Sequence, residues 1–234
     1  MNKADNTSKS GIDFSTVLAS SVHDMKNSIG MLLSSVETIL DEMKPETPEQ
    51  ERHFHTLHYE ASRINGELIQ LLTLYRMENG FLPLHIDEHF PLDVIEDQVA
   101  RNQLLIDTSN IDVTVDCSPD LAWYFDTDLV GGVIHNVLVN GIRYTRQRIH
   151  IAVREEQKHL VVSIADDGDG FPDDMLVDPA NRVFEASLSE GATHLGLFFA
   201  SEIARLHKQG EDRGRIELMN GGALGGGEFR LILP

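Results

Sequence analysis

An imidazole, a carboxylate and a carboxamide fall within five positions in Ser20-Ser21-Val22-His23-Asp24-Met25-Lys26-Asn27. A histidine offered to water from a helix, with an acid beside it and an amide one turn away, can serve as a nucleophile. Farther along, Asn136 and Asn140 stand one helical turn apart, and Arg143 and Tyr144 follow. A carboxamide oxygen is a hard, neutral ligand suited to Mg²⁺ already bound to phosphates, and a guanidinium can reach a phosphate. A third cluster is Ile164-Ala165-Asp166-Asp167-Gly168-Asp169-Gly170-Phe171-Pro172. It sets a carboxylate at the end of an apolar run, followed by glycines where the backbone can turn tightly against a flat ligand. Asp166 can accept a hydrogen bond from the exocyclic amine of adenine, a donor that guanine lacks at that position. A calcium loop starting at Asp167 fails, because it needs an oxygen ligand where Phe171 stands and glycine where Pro172 stands. Last, Gly191-Ala192-Thr193-His194-Leu195-Gly196-Leu197 runs a small-residue loop into a helix start, where N–H groups and the positive dipole end favour phosphate.

Each of these groups needs an element to hold it. Leu18, Val22, Met25, Ile29, Leu32, Val36, Ile39 and Met43 alternate spacings of four and three, the seam of a helix that packs on other helices. His23 directly follows a seam residue and Asn27 lies one turn on, so both are expected on the outer face, toward water. This helix is predicted from about Asp13 or Ser15 to Met43, followed by a turn at Pro45 and Pro48. A second seam, Phe54, Leu57, Ala61, Ile64, Leu68, Leu71 and Tyr75, closes at Glu78-Asn79-Gly80. Two long helices joined by a short turn fold back antiparallel, and one hairpin cannot cover both seams along with Leu33, Leu40, Ile69 and Leu72. Two copies packed as a four-helix bundle can, which predicts a homodimer. His53, His55 and His58 crowd the start of the second helix, but no Cys or matched carboxylate completes a metal cage. They are read as solvated.

Beyond Pro83 the pattern becomes mixed. A strand is predicted over Leu84–Phe90, a helix from Pro91 to about Ile106, strands at Ile111–Val115 and Leu121–Phe125, and a helix over Thr127–Thr145. Alternating strands through Ile149–Val153 and Leu160–Ile164 join at a Glu155–Lys158 hairpin connection. A helix over Leu195–His207 and closing strands at Gly214–Met219 and Glu228–Leu233 complete the order. That order predicts an α+β sandwich, with helices layered on one face of a mixed sheet. The division is a loose N-terminus at 1–12, an all-α helical hairpin at 13–80 and the mixed unit at 81–234.

Composition narrows the function classes. The net charge of −19 over 234 residues argues against nucleic acid or an anionic membrane surface as a partner. Any phosphate ligand then needs Mg²⁺ and locally placed cations. One cysteine, Cys117, excludes an internal disulfide framework and suits a reducing compartment. No apolar run reaches the ~20 residues of a membrane span, and the first residues lack the apolar core of a signal peptide. The expectation is a soluble, cytoplasmic protein.

In this order the pieces resemble the sensor histidine kinases of two-component systems, over nearly the whole chain from about residue 15. His23-Asp24-x-x-Asn27 is similar to the family's phosphoacceptor box, and Leu71 to Gly80 to the end of its second helix. Asn136 to Thr145 resembles the N box, Asp166 to Gly170 the first glycine box, Phe184 the F box and Leu195-Gly196-Leu197 the second glycine box. Gly226 to Pro234 fits the family's ending. Each motif alone is common, but five in register are specific. The resemblance implies a dimeric four-helix bundle followed by a Bergerat (GHKL-type) ATP-binding domain. It places adenine on Asp166, with Gly168, Gly170 and Tyr144 around the nucleotide. Mg²⁺ falls on Asn140 with Asn136 in support, and phosphates near Arg143, Thr193, Leu195 and Gly196. It makes His23 the residue phosphorylated by ATP, with Asp24 holding the ring and Asn27 positioning water for a reverse phosphatase step. The implied partner is the receiver domain of a response regulator.

Two departures from the family pattern stand out. Ala192-Thr193-His194 replaces the usual Gly-Thr-Gly of the second glycine box, where a histidine adds bulk near the phosphates. Ser28 stands where the family usually has proline after the phosphoacceptor, so the first helix is expected to be less kinked. With about a dozen residues before that helix, a separate sensor protein is expected to deliver the signal. The leading reading is a protein-histidine kinase. Its rivals are a phosphotransfer or docking protein of the same architecture that has lost ATP use, and an ATP-binding regulator that phosphorylates serine.

Overall fold

The computed structural model describes residues 14–42, 47–177 and 195–234. The two seams produce two long helices, α1 (Phe14–Glu42) and α2 (Pro48–Glu78), which pack on each other. Thr47 caps α2: its backbone is extended and its hydroxyl accepts from the Gln50 N–H at 3.2 Å. Pro48 takes the first helical position, where a missing N–H does no harm. The end at Gly80 is a Schellman turn, the Phe81 N–H reaching the Arg76 carbonyl at 2.7 Å and the Gly80 N–H the Met77 carbonyl at 3.1 Å. Within the seams Val22, Val36 and Ala61 are buried, whereas Met25, Leu32, Ile39, Leu57, Ile64 and Leu71 remain exposed. His58 departs from expectation. It is only 6% exposed, because it lies on a packed side of α2 and not in water.

The mixed unit begins with β1 (Asp87–His89), shorter than the strand expected over Leu84–Phe90. The cause lies outside it: the Asp126 carboxylate takes the His85 N–H at 2.8 Å, and only three residues of the partner strand are available for pairing. The helix expected from Pro91 to Ile106 is divided at Asn102 into α3 (Pro91–Arg101) and α4 (Gln103–Thr108). The buried Asn102 carboxamide bonds back to the Gln98 carbonyl at 2.7 Å and meets His135 Nδ1 at 3.1 Å, which fixes the break. Next come β2 (Asp112–Asp116), β3 (Trp123–Phe125), α5 (Thr127–Tyr144), β4 (Arg148–Glu156), β5 (His159–Asp166) and α6 (Asp173–Val177). The chain continues with α7 (Leu195–Leu206), β6 (Lys208–Gln209), β7 (Asp212–Arg213), β8 (Arg215–Asn220) and β9 (Gly227–Leu233). The short α6 and the β6–β7 pair were not anticipated from the sequence.

The main sheet runs β2-β4-β5-β9-β8, parallel only between β2 and β4. Register puts Ile151, Ile164, Phe229 and Leu218 in one cross-strand row, and Val153, Val162, Leu231 and Ile216 in the next. These rows face α5 and α7 and join Phe125, Val133, Leu138, Phe199 and Ile203 in one core. Each fully buried side chain of this size stabilises the fold by about 1.5–3 kcal/mol. The other face carries charge: Arg230 meets Glu156 at 2.6 Å and lies near Glu217 and Glu228. Helices therefore cover one face, as alternation in the strands requires. The β4–β5 hairpin turns through Gln157 and Lys158, both at positive φ, matching the natural strand twist.

Asp126 secures the start of α5. Its Oδ1 caps the Leu129 N–H at 3.0 Å, and its own N–H donates to Nε2 of the buried His207 at the end of α7. α2 packs against α4, α5 and α7, which brings the helical hairpin onto the helix layer.

Candidate nucleotide site and phosphoacceptor helix

Strand β5 delivers Asp166 to the sheet edge, and the turn after it wraps the carboxylate. Asp166 Oδ1 accepts from the N–H groups of Gly168 (2.7 Å) and Gly227 (3.2 Å), while its carbonyl accepts from the Gly226 N–H at 3.1 Å. Oδ2 accepts no hydrogen bond among the described residues. A carboxylate with one oxygen fixed and the other open is prepared to receive an amine. Gly168 must be glycine, since a Cβ would collide with the Tyr144 carbonyl at the end of α5. Gly170 (φ 81°) leads to Phe171, whose N–H and C=O are both held by the Asn220 carboxamide at 2.7 and 2.8 Å. Sequence reading counted Gly226 and Gly227 only as part of the chain's ending, and the fold brings them to Asp166.

Asp167, beside it, is used differently. Its Oδ1 accepts from Thr145 Oγ1 at 2.6 Å and from the N–H groups of Arg146, Gln147 and Arg148 at 3.0–3.1 Å. Those bonds, led by the one from the Gln147 N–H, hold its carboxyl well below the usual carboxylate range. Asp167 thus pins the α5–β4 connection to the end of β5, which fixes Tyr144 beside Gly168.

On α5, Asn136 and Asn140 share a face, with Asn140 Nδ2 donating to Asn136 Oδ1 at 3.4 Å. The same oxygen accepts from Gln70 Nε2 of α2 at 2.8 Å. Gly196, in the first turn of α7, is buried against the Asn136 carboxamide, and a Cβ there would strike it. Leu195 begins the same helix. The Arg143 guanidinium carbon stands 5.4 Å from the centre of the exposed Tyr144 ring and 6.0 Å from that of Tyr59 on α2. Gln70 and Tyr59 were not singled out from the sequence. A glutamine between Ile69 and Leu71 carries no local mark of a contact so distant along the chain.

Asp24 and Asn27 lie exposed on α1. Position 23 belongs to the same helix, but the placement of the His23 side chain lies outside what is described, as do Phe184, Ala192, Thr193 and His194. Ser28 Oγ donates to the Asp24 carbonyl at 3.0 Å, and α1 runs unbroken through the position. A larger cavity of about 520 Å³ opens between α2, α3 and the start of α5. Asp93, Asp97 and Asp128 line it, a poor lining for phosphates, and it includes neither Asn140 nor Asp166. No described helix is long and apolar enough to cross a membrane.

Residues 125–234, the stretch that builds this glycine cradle and the paired carboxamides, match the family of histidine kinase-, DNA gyrase B- and HSP90-like ATPases. The chain is 26% identical over 229 residues to the sensor protein KdpD of Clostridium acetobutylicum, covering 94% of this chain and 24% of that protein. It is also 26% identical over 229 residues to the sensor histidine kinase RppB of Synechocystis sp., covering 92% of this chain and 48% of that one. The chain therefore spans less than half the length of these curated relatives. The solved structure of the Acinetobacter baumannii histidine kinase AdeS shares the fold with a TM-score of 0.58 at 19% identity, covering 90% of this chain and 96% of that one. Residues 125–234 thus carry an ATPase domain of that family, and over nearly its whole length the chain is similar to sensor histidine kinases of two-component systems.

Proposed function

We infer that the chain phosphorylates His23 from ATP and passes the phosphoryl group to an aspartate on a response-regulator receiver domain. The observation that carries this reading is Asp166, with Oδ1 fixed by two backbone amides and Oδ2 open beside Gly168 and Gly227. That arrangement suits the exocyclic amine of adenine. Asn140, supported by Asn136, would hold Mg²⁺, which neutralises charge on the phosphates. Tyr144, Arg143, Gly170, Leu195, Gly196 and Thr193 complete the nucleotide surround. An imidazole nitrogen of His23 bonds to the γ-phosphorus as the bond to the β–γ bridging oxygen breaks. Asp24 orients the ring and raises its nucleophilicity, and most of the rate comes from positioning and charge neutralisation. Asn27 positions water for the phosphatase direction.

The unit boundaries at about 13–80 and 81–234 follow the Schellman turn at Gly80. The exposed seam residues on α1 and α2 support a homodimer, since two copies can bury what one leaves in water. A second reading, a docking protein that no longer uses ATP, is favoured by one observation: Gln70 occupies the Asn136 oxygen.

Incubation with Mg-ATP labelled at the γ-phosphate separates the readings. The kinase predicts acid-labile label on the wild-type protein and none on His23→Ala. A folded wild-type protein that takes up no label sinks the kinase reading in favour of the docking protein. Label that survives acid points to serine.

A further inference from the structure

Tyr59, Arg63, Gly66 and Gln70 follow one another on α2 at spacings of four, three and four, so they form a single stripe. Opposite them α5 carries Arg143, Asn140 and Asn136, running the other way. At one end the Arg143 guanidinium stands over the Tyr59 ring, and at the other Gln70 Nε2 donates to Asn136 Oδ1 at 2.8 Å. The space between, bounded by Arg63, Gly66, Gln70, Asn136, Asn140 and Gly196, measures about 40 Å³. It has room for a few waters but not for a triphosphate. α2 therefore lies over the residues proposed for Mg²⁺ and phosphate, while Asp166 and its glycine cradle lie outside that gap.

The contact is also weaker than its burial suggests. Gln70 is 4% exposed, yet its Oε1 has no hydrogen-bond partner among the described residues, and neither has the buried Nδ2 of Asn136. Burying an unsatisfied donor and an unsatisfied acceptor offsets much of what the one good hydrogen bond contributes. A contact so balanced can be displaced by a ligand that satisfies Asn136 better.

We propose that α2 is a latch: docking of Gln70 on Asn136 and of Tyr59 on Arg143 excludes the Mg-bound phosphates of ATP, so nucleotide loading and α2 docking oppose each other. This rests on the nucleotide reading given above. Because the coupling is reciprocal, ATP releases α2 to the same degree that α2 weakens ATP. The penalty falls on the phosphate end, and adenine binding at Asp166 is indifferent to it.

The test uses the full chain and two variants, Gln70→Leu, which keeps the volume without the donor, and Gln70→Ala. Each is titrated by calorimetry with a Mg-bound non-hydrolysable ATP analogue and, separately, with adenosine. Because the unpaired groups offset much of that hydrogen bond, its loss predicts that the analogue binds about two- to threefold tighter to both variants. Adenosine affinity stays at the wild-type value, and amide exchange across residues 59–70 of the wild-type protein rises when the analogue is added. Unchanged analogue affinity in the variants overturns the latch, and so does an equal gain for analogue and adenosine. If neither ligand binds any of the three proteins, the nucleotide reading falls, and the latch with it.

Discussion

Asp166 and Asp167 are adjacent carboxylates with opposite fates. The first keeps one oxygen open, whereas the second spends its acceptors on Thr145 and three consecutive backbone N–H groups. Charge-assisted bonds of this kind are individually strong, so Asp167→Ala is expected to destabilise the ATPase unit by about 2 kcal/mol in urea unfolding. The sign with pH follows from the depressed folded-state pKa. The stabilisation is complete above the ordinary carboxylate pKa of about 4 and fades as pH falls through the lower folded value. The stability gap between the wild-type protein and Asp167→Asn should therefore close only in strong acid. A gap that is constant with pH would show that the carboxylate's charge contributes nothing.

The helical hairpin poses its question at the scale of the element. α1 and α2 leave Leu32, Ile39, Leu57 and Ile64 exposed on sequences whose three-four spacing is that of buried seams. Pairing with a second copy, as proposed above, would resolve the discrepancy. Charging the seam by Leu32→Glu together with Leu57→Glu is expected to shift the sedimenting species from dimer to monomer while the ATPase unit keeps its fold. A wild-type chain that sediments as a monomer at micromolar concentration would remove the dimer from the account. The same spacing made both helices and the end of α2 legible in advance, because helix seams are local, although α2 starts at Pro48, ahead of the seam residue Phe54. The break at Asn102 was not legible, because it depends on His135, which lies 33 positions away.

For the whole molecule, stability is tied to two neutral histidines. His207 accepts the Asp126 N–H on Nε2, so Nδ1 carries the proton and donates to the Ile203 carbonyl at 2.9 Å. His135 meets Asn102 and stands between α2 and the helix layer. Desolvation lowers both pKa values, with the Arg101 charge adding to the effect at His135. The unfolded chain then binds protons that the folded one refuses. Stability should accordingly decline as pH drops below about 6.5 and level off only below the folded-state values. His207→Gln, which offers an oxygen to the Asp126 N–H and does not titrate, is expected to flatten that slope between about pH 7 and 5. Equal slopes in the two proteins would assign the acid sensitivity to other groups.

What the sequence determined alone was local: two seamed helices, alternating strands, and a carboxylate followed by glycines at the end of a strand. These signals rest on periods of 3.5 and 2 and on glycine's lack of a Cβ, all of which act within a few residues. The tertiary structure alone brought Gly226 and Gly227 to Asp166, gave Asp167 its three amides, and laid Gln70 on Asn136. Those pairings join segments tens of residues apart, and whether they form depends on how whole layers pack, which no short stretch of chain encodes.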